Sequence, residues 1–280
     1  MSIFLNVESR VGKSTHCFGN IVSRQERSGA GRRVAFRAAS VQIERTVTPS
    51  PLESLQVWRD LTFRSVPEQM AIDEALLARA IDTGRACARF YHWDHPARTI
   101  GYFSRTGDVE DGIDFARRLT GGGIVEHGED LTFLLVTPPG APVSGLSAED
   151  RYRWIHEALA LALADAGVES RAQPQRENGP NIPDSGVCFA SPVPWDLIGA
   201  LGEKLAGGAQ RRSRGALIHQ GSVRLSRELR HPEADWIDGF LTRLSRETQL
   251  LPEEEQAIVL DLASTKLKER YGRHEWNHRR

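Results

Sequence analysis

The chain has 280 residues and a formal net charge of −1, with 40% hydrophobic and 26% charged residues. These proportions are ordinary for a globular protein, and the length allows one large domain with a substantial core. The balanced charge argues against broad nucleic-acid binding, which needs a positive surface, and no apolar run reaches the roughly 18 residues of a membrane span. We therefore expect a protein that binds neither nucleic acid nor membrane.

The three cysteines, Cys17, Cys87 and Cys188, stand far apart in the chain. An odd number of cysteines without a CxxC pair is typical neither of a disulfide framework nor of a zinc ribbon. We therefore expect reduced cysteines and a cytoplasmic protein, since the first residues also lack the long apolar core and cleavage site of an export signal. His92 and His95 lack partners at ligand spacing, so no metal site is predicted.

Residues 1–50 differ in composition from the rest of the chain. They hold eight Lys and Arg against three Glu, with frequent Gly and Ser and no clear hydrophobic period. This composition predicts a disordered, basic N-terminal extension, although an organelle transit peptide or a wrongly assigned start would share it. Residues 51–280 form the predicted folded domain, including the helices at its C-terminal end.

Hydrophobic periodicity separates strands from helices in the folded domain. Apolar residues at helical spacing predict helices at 67–81, 148–166, 233–246 and 252–271. Runs rich in β-formers predict strands at 56–63, 88–93, 99–103, 115–120, 124–127, 131–137, 187–190, 196–209 with a break at Gly202, and 216–225. The elements neither alternate strictly nor repeat. This order favours an α+β fold with a mixed, mostly antiparallel sheet and helices packed on one side.

Three consecutive glycines, Gly121, Gly122 and Gly123, separate the pair Arg117-Arg118 from a predicted strand. Glycine has no Cβ and permits positive φ, so a glycine triplet between strands marks a close approach of the backbone to something other than a side chain. A ligand is the leading candidate, and a plain turn is the alternative.

A second segment, Lys204 to Arg212, again combines cations with small residues, here Ala206-Gly207-Gly208-Ala209. Small residues let backbone N–H groups approach a ligand. An ammonium beside them could donate hydrogen bonds to a carbonyl oxygen and stabilise negative charge during nucleophilic attack. The alternative for Lys204 is a solvated surface role.

These segments stand within a longer series of motifs that resembles one family. In chain order the matching pieces are Met70–Leu77, Arg89–Trp93, Ile100–Phe103, the arginine and glycine run through His127, the Lys204 segment, and Arg214–Ser222. They resemble the lipoate-protein ligases and octanoyltransferases, whose catalytic domain is shared with biotin-protein ligases. The resemblance covers residues 55–225 and implies a biotin/lipoate ligase-like catalytic domain within 51–280.

The resemblance implies attachment of an octanoyl or lipoyl group to a lysine of a carrier domain. The donor would be acyl carrier protein or a lipoylated protein, and the acceptors would be lipoyl domains of 2-oxoacid dehydrogenases or the glycine cleavage carrier protein. Lys204 matches the lysine that contacts the acyl carbonyl. The residues assigned to acyl or nucleotide binding are Arg89, Arg118, Gly121, Gly122, Gly123, His127, Gly207, Gly208 and Ala209. The sequence after His127 departs from the family's usual Asp, which leaves the local loop geometry open.

Cys188 matches the cysteine that accepts the acyl chain as a thioester in one branch of the family. A thiol with an ordinary pKa near 8.5 needs a downward shift of about 1.5 units to react well at neutral pH. One cation at about 4 Å could supply this shift, and Lys204 is the predicted partner. An isolated cysteine could instead be a small core residue. In the transferase interpretation, Cys188 and Lys204 are the catalytic residues and no cofactor is required.

Two alternatives remain open. An ATP-dependent lipoate-protein ligase would form an acyl-adenylate with Mg²⁺ and would not need Cys188. About 55 residues follow Leu225, which are few for the accessory domain that many such ligases carry. A catalytically silent module that binds lipoyl or acyl groups is the second alternative, and the presence of both Cys188 and Lys204 counts against it.

Overall fold

The computed structural model describes residues 51–106, 112–173 and 193–279. The expectations for residues 1–50, for a strand at 187–190 and for Cys188 lie outside these ranges.

Strands and helices of the described residues are labelled here in chain order. The strands are β1 (Leu52–Arg59), β2 (Cys87–His92), β3 (Ala97–Ile100), β4 (Asp114–Arg117), β5 (Val125–His127), β6 (Leu131–Thr137), β7 (Ser170–Ala172), β8 (Leu197–Gly199), β9 (Lys204–Ser213), β10 (Ala216–Val223) and β11 (Ser245–Leu250). The helices are α1 (Val66–Thr83), α2 (Ala148–Asp165), α3 (Trp236–Leu244), α4 (Glu253–Lys266) and α5 (His274–Asn277). None of these helices combines the length and hydropathy of a membrane span.

The strands form one large and one small sheet. The large sheet has the order β11-β1-β2-β6-β10-β9-β8-β7, and the small sheet has the order β4-β3-β5. In the large sheet, β1 runs parallel to β11 and to β2, and each of the other neighbouring pairs is antiparallel. The predicted mixed, mostly antiparallel sheet is therefore confirmed.

Helices cover both faces of the large sheet, so the expectation of helices on one side is wrong. Successive residues of a strand enter different cores: Phe90 and Phe133 pack with α2 and α3, whereas Tyr91 and Leu134 pack with α1 and α4. Every residue of β6 is buried. A strand that is apolar on both faces needs cover on both faces, which explains the two helical layers.

Local hydrogen bonds and backbone conformation explain where α1 begins and ends. Glu68 accepts a hydrogen bond from the Ser65 backbone N–H at 2.9 Å, and Pro67 stands in the first turn, where its missing N–H costs nothing. Gly84 ends the helix with φ of 71°, a left-handed conformation that glycine adopts without strain. The helix begins within one residue of the predicted start.

Two edge strands were not predicted. The predicted helix at 233–246 ends at Leu244 as α3, and the polar segment Ser245–Leu250 pairs with β1 as β11. Ser170–Ala172, expected to belong to a loop, pairs with β8 as β7. Backbone hydrogen bonds to the neighbouring strand stabilise such edge strands, so they can form without an alternating apolar pattern. The predicted helix at 252–271 ends as a π-helical turn, Leu267–Tyr271.

Candidate functional site

A central cavity lies between the large sheet, the N-terminal half of α1 and the small sheet. The residues that line it are Met70, Tyr91, Thr99, Arg118, Val125, His127, Thr132, Gly207, Gly208, Ala209, Gln220, Gly221 and Ser222. β9 and β10 form one wall, where most residues have little or no side chain. This wall is therefore largely backbone.

The glycines of this wall are required by neighbouring side chains. A Cβ at Gly221 would lie 2.2 Å from the ring of Phe133, and a Cβ at Gly208 would lie 2.6 Å from Nε2 of His219. Non-bonded heavy atoms do not approach this closely in proteins, so any larger residue at Gly208 or Gly221 would displace a buried ring.

Lys204 lies beside the glycine wall. Its side chain is buried, and its ammonium nitrogen is 2.8 Å from Oδ2 of Asp196. A Cβ at Gly207 would lie 2.4 Å from Cε of Lys204 and 2.6 Å from Nζ. The lysine therefore occupies the space that a side chain at Gly207 would fill. The ammonium stands directly behind a residue that lines the central cavity.

Asp196 links Lys204 to α2 and to the backbone of the wall. Its Oδ1 accepts a hydrogen bond from the Tyr152 hydroxyl at 2.5 Å, and that hydroxyl accepts one from the Gly208 N–H at 2.8 Å. The Val193 N–H donates to Oδ2 at 2.7 Å. A buried ammonium needs such a carboxylate, because an unpaired charge away from water is costly. The arrangement holds a hydrogen-bond donor in a fixed position beside the cavity.

Arg118 lines the cavity and also fixes the triple-glycine loop. Its Nη1 donates to the backbone oxygen and to Oγ1 of Thr99 at 2.8 and 2.9 Å. Its Nη2 donates to the carbonyl oxygens of Gly121 and Gly123 at 2.8 and 2.9 Å. These four bonds close the loop around one guanidinium. The binding role assigned to Arg118 stays a prediction.

The triple-glycine loop approaches backbone closely, as its composition indicates. Gly122 has φ of 85°, and a Cβ on Gly101 would lie 1.7 Å from the carbonyl oxygen of Gly122. The observed partner of the close approach is therefore Gly101, and none of Gly121, Gly122 and Gly123 is among the cavity-lining residues. A binding role for the triplet also stays a prediction.

His127 stands between two polar partners at the cavity. Its Nδ1 lies 2.8 Å from Oδ2 of Asp130, and its Nε2 lies 2.8 Å from Oγ1 of Thr99. Burial alone would raise the pKa of Asp130, but His127 and the hydroxyls of Ser222 and Thr132 outweigh burial and hold that pKa below its ordinary value. A carboxylate only accepts hydrogen bonds, so Nδ1 of His127 carries a proton.

Arg89 lies one layer behind the cavity and does not line it. Its side chain is fully buried and forms ion pairs with Asp60 at 2.7 Å and Asp73 at 2.9 Å. Asp73 in turn accepts hydrogen bonds from two cavity residues, Tyr91 at 3.1 Å and Gln220 at 2.7 Å. Arg89 thus supports the cavity through Asp73, and direct contact with a ligand stays a prediction.

Comparison with known proteins identifies the family. Residues 65–257 match the family model described as the lipoyl protein ligase A/B catalytic domain. The chain belongs to this family. The expected family and its α+β fold are therefore confirmed.

Curated proteins with similar sequences include octanoyltransferases. An octanoyltransferase LipM from Kyrpidia tusciae is 35% identical over 193 residues, which are 64% of this chain and 69% of that protein. An octanoyltransferase LipM from Bacillus cereus is 35% identical over 173 residues, which are 57% of this chain and 62% of that protein. The alignment with the second relative thus spans less than two thirds of its length. These names support the expected class of acyltransferase or ligase enzyme.

Solved structures show the same fold in lipoate ligases. A crystal structure of lipoate-protein ligase A bound with ATP has a TM-score of 0.61 and 23% identity, covering 81% of this chain and 99% of the other. The lipoate protein ligase of a bi-partite lipoylation system from Thermoplasma acidophilum has a TM-score of 0.59 and 21% identity, covering 81% and 96%. At these identities the likeness is one of fold.

The structure gathers most residues predicted for the site of this lipoyl protein ligase A/B domain. Those at the cavity wall are Arg118, His127, Gly207, Gly208 and Ala209. Lys204 stands directly behind Gly207, whereas the triple-glycine loop and Arg89 stand one layer further away. Cys188 belongs to the part of the chain that the structure does not describe, so its predicted place beside Lys204 stays a prediction.

Sequence reasoning missed several polar residues of the site. Tyr152 and Asp196 bond each other across 44 residues of chain, and periodicity carries no information about such a pair. One signal was present, because Asp196 stands in the Trp195-Asp196-Leu197 segment that precedes Lys204. Trp195, next to Asp196, has φ of 71°, which is unusual for an aromatic residue.

Two buried histidines pack behind Tyr152. The ring of His156 stacks on Tyr152 with centroids 4.0 Å apart, and the ring of His219 lies 5.5 Å from that of His156. Among the residues that the structure describes, no group hydrogen-bonds to either ring nitrogen of His219. Burial lowers the pKa of His219 to about 3 and, with the nearby His219 and Lys204, lowers that of His156 well below its ordinary value. Both rings are therefore neutral in the folded protein.

Proposed function

We propose that this protein transfers an octanoyl or lipoyl group to a lysine of a lipoyl carrier domain, with Cys188 as the acyl acceptor and Lys204 as the electrostatic catalyst. The observation that carries the proposal is the Lys204 ammonium, held by Asp196 against the glycine wall of the central cavity. The names of the octanoyltransferase relatives support the same reaction.

The reaction has two acyl transfers. With acyl carrier protein as donor, the Cys188 thiolate attacks the thioester carbonyl, the carbon–sulfur bond to the donor breaks, and the donor leaves as a thiolate. With a lipoylated protein as donor, Cys188 attacks an amide carbonyl, the carbon–nitrogen bond breaks, and the donor lysine takes up a proton and leaves as an amine. The neutral amine of the acceptor lysine then attacks the Cys188 thioester, loses its proton, and releases the Cys188 thiolate as the amide forms. Each attack places negative charge on the carbonyl oxygen. A fixed ammonium such as that of Lys204 stabilises this charge without reorganisation.

The cavity favours a donor that brings its own binding surface. Burying the methylenes of an octanoyl chain contributes on the order of 5 kcal/mol, which alone corresponds to affinity in about the sub-millimolar range. The chain by itself is thus weakly held. A carrier protein adds further contacts, so acyl carrier protein or a lipoylated protein suits the donor role, and lipoyl domains of 2-oxoacid dehydrogenases or the glycine cleavage carrier protein suit the acceptor role.

An ATP-dependent ligase is the second candidate, because one structural neighbour is a lipoate-protein ligase bound with ATP. That route would use ATP and Mg²⁺ with free octanoate or lipoate, and it would leave Cys188 unmodified. The two routes therefore differ in their donors and in the covalent state of the enzyme.

Intact-mass measurement with two donors separates the candidates. One reaction contains octanoyl-acyl carrier protein, the other octanoate, ATP and Mg²⁺, and each contains a lipoyl domain as acceptor. We expect the first reaction to add one octanoyl group to the lipoyl domain and, without acceptor, to the enzyme. Cys188→Ser and Lys204→Ala should each abolish transfer. Cys87→Ser is the matched control, because Cys87 is buried and burial raises its thiol pKa to about 12.

Three results would contradict the proposal. Unchanged transfer by Cys188→Ser excludes the thioester, transfer only with octanoate and ATP indicates the ligase, and a protein that is inert with every donor but still binds octanoate indicates a binding module.

A further inference from the structure

A second cavity of about 240 Å³ lies at the far end of β9 from Lys204. It is walled by Arg211, Arg214, Lys266 and Arg270, together with the aromatic residues Tyr102 and Trp276. We infer that this basic cavity binds the phosphate group of a small ligand. The inference does not depend on the acyl-transfer reaction.

The basic cavity has more cations than carboxylates. Glu74 is the acidic residue among those lining it, and it pairs with Arg270 at 2.6 Å and with Lys266 at 3.7 Å. Within residues 51–106, 112–173 and 193–279, no carboxylate forms an ion pair with Arg211 or Arg214. The lining therefore carries an excess of positive charge, which a bound anion would compensate.

Aromatic rings orient the arginines of this region. The Arg211 guanidinium lies 4.6 Å from the ring centre of Tyr102, and the Arg270 guanidinium lies 4.7 Å from that of Trp276. The Arg279 guanidinium contacts both rings, at 3.8 and 3.9 Å. Stacking restrains the plane of a guanidinium, and N–H groups held in one plane can bind phosphate oxygens in pairs.

The surrounding charge acts on Tyr102 as well. Arg279, by a hydrogen bond and by its charge, and then Arg211 lower the pKa of the Tyr102 hydroxyl below its ordinary value. The direction of this shift agrees with a positive potential at the rim of the basic cavity.

The shape of the cavity favours a small anion over a protein surface. The apolar residues that line it are Leu77, Ala78, Ile81 and Leu119, and they share the cavity with the four cations. A concave site with converging donors can surround a tetrahedral phosphate, whereas a flat acidic protein face would contact only the rim. The Nη1 of Arg211 also donates to the carbonyl oxygen of Leu119 at 3.2 Å, so the basic cavity adjoins the segment that leads into the triple-glycine loop.

Calorimetric titration with inorganic phosphate tests the inference. Chloride at equal ionic strength is the reference, and the variants are Arg211→Gln and Arg214→Gln in the full chain. Loss of one charge-assisted contact should weaken phosphate binding by about tenfold in each variant. Thermal unfolding of each variant checks its fold. Because Arg211 donates a hydrogen bond to the Leu119 carbonyl oxygen, Arg211→Gln could destabilise the fold. In that case Arg214→Gln alone tests the inference.

Arg212→Gln is the matched control. Arg212 is exposed on the same strand, but its cross-strand partner is Leu217, which belongs to the core on the α2 side. It also lies close enough to Arg151 of α2 to lower the pKa of that arginine, together with burial. Arg212 therefore faces away from the basic cavity, and Arg212→Gln should bind phosphate as the unmodified protein does.

Further titrations distinguish the source of the phosphate. Tighter binding of AMP than of inorganic phosphate, lost in the same variants, would support a nucleotide, and equal binding would support a simple phosphate or phosphate ester. The inference is overturned if phosphate gives no heat beyond the chloride reference. Equal weakening by Arg212→Gln, or binding of a polyglutamate peptide without any binding of phosphate, would overturn it as well.

Discussion

At the scale of single residues, the candidate site depends on positions where a side chain is missing. Lys204 reaches the cavity wall because Gly207 leaves space for its Cε and Nζ atoms. Small residues next to a lysine predict backbone close to a ligand, and a ligand contact at this wall stays a prediction. The sequence did not predict Asp196, because the ion pair crosses the turn between β8 and β9 and follows no local period.

Replacing Gly207 with Ala should disable Lys204 while the protein stays folded. The added methyl would overlap the lysine side chain, which must move, and a displacement of about 1 Å in a catalytic group can cost on the order of 10²-fold in rate. We expect octanoyl transfer to the lipoyl domain to fall by about that factor. Initial rates in the mass assay measure octanoyl transfer, and circular dichroism checks that the variant is folded.

Gly145→Ala is the matched control for this substitution. A Cβ at Gly145 would meet nothing within 4 Å, and this residue is absent from the glycines of positive φ. We expect Gly145→Ala to keep most of the activity. Equal losses in both variants would show that the overlap with Lys204 is not the cause.

At the scale of elements, one buried arginine joins β4 to the C-terminal segment. Arg117 is fully buried, and its guanidinium donates to backbone carbonyls on both sides. The acceptors are the carbonyl oxygens of Gly101, Tyr102, Ser104, Trp276, Asn277 and Arg279. The chain around 101–104, the end of α5 and the residues just after it are therefore held by a single side chain.

Arg117→Lys should destabilise the protein despite the retained charge. An ammonium has three donors on one atom, so it cannot reach six separated carbonyls, and several buried acceptors would lose their partners. We expect a loss of about 3 kcal/mol in the free energy of unfolding, measured by urea denaturation. Arg98→Lys on β3 is the control, because Arg98 pairs with the half-exposed Glu126 and should change stability by less than about 0.5 kcal/mol.

The elements also show what sequence patterns can predict. β6 was predicted with its observed bounds, because seven consecutive β-prone residues buried on both faces leave no other interpretation. β11 was missed because its sequence, SRETQL, is polar and mostly exposed. Its formation depends on pairing with β1, nearly 200 residues earlier in the chain, and that contact has no local signature.

At the scale of the whole molecule, the two neutral histidines should make folding stability depend on pH. The folded protein holds His219 with a pKa of about 3, whereas the unfolded chain has a pKa near 6.5. Below 6.5 the unfolded state therefore binds more protons, and stability falls as the pH decreases toward 3. When the pH falls from 7.5 to 5, His219 alone should lower the free energy of unfolding by about 2 kcal/mol. His156 should lower it further.

Urea denaturation at pH 7.5 and pH 5 measures this effect. Between the two pH values, the free energy of unfolding of His219→Phe should fall by about 2 kcal/mol less than that of the unmodified protein. His274→Phe, at an exposed position, should keep the original pH dependence. An unchanged pH dependence in His219→Phe would show that this ring is already protonated in the folded protein, or solvated.

The sequence predicted the fold class and the family, because ordered motifs from Met70 to Ser222 constrain the whole catalytic domain. It placed the helices on one side of the sheet, which is wrong. Motif spacing carries no information about which face a helix covers. The two-sided burial of β6 contained that information, since a strand without a polar face requires a layer on each side.

The backbone surface formed by β9 and β10 would affect the selectivity of the proposed enzyme for acyl chain length. Main-chain atoms cannot change rotamer, so this side of the pocket offers a rigid boundary to every substrate. The lining contributed by α1 and the small sheet includes Met70 and Val125, and a methionine side chain adapts its shape easily. In the proposed acyltransferase, selectivity for shorter or longer acyl tails would therefore depend on α1 and the small sheet, and redesign of that preference would begin there.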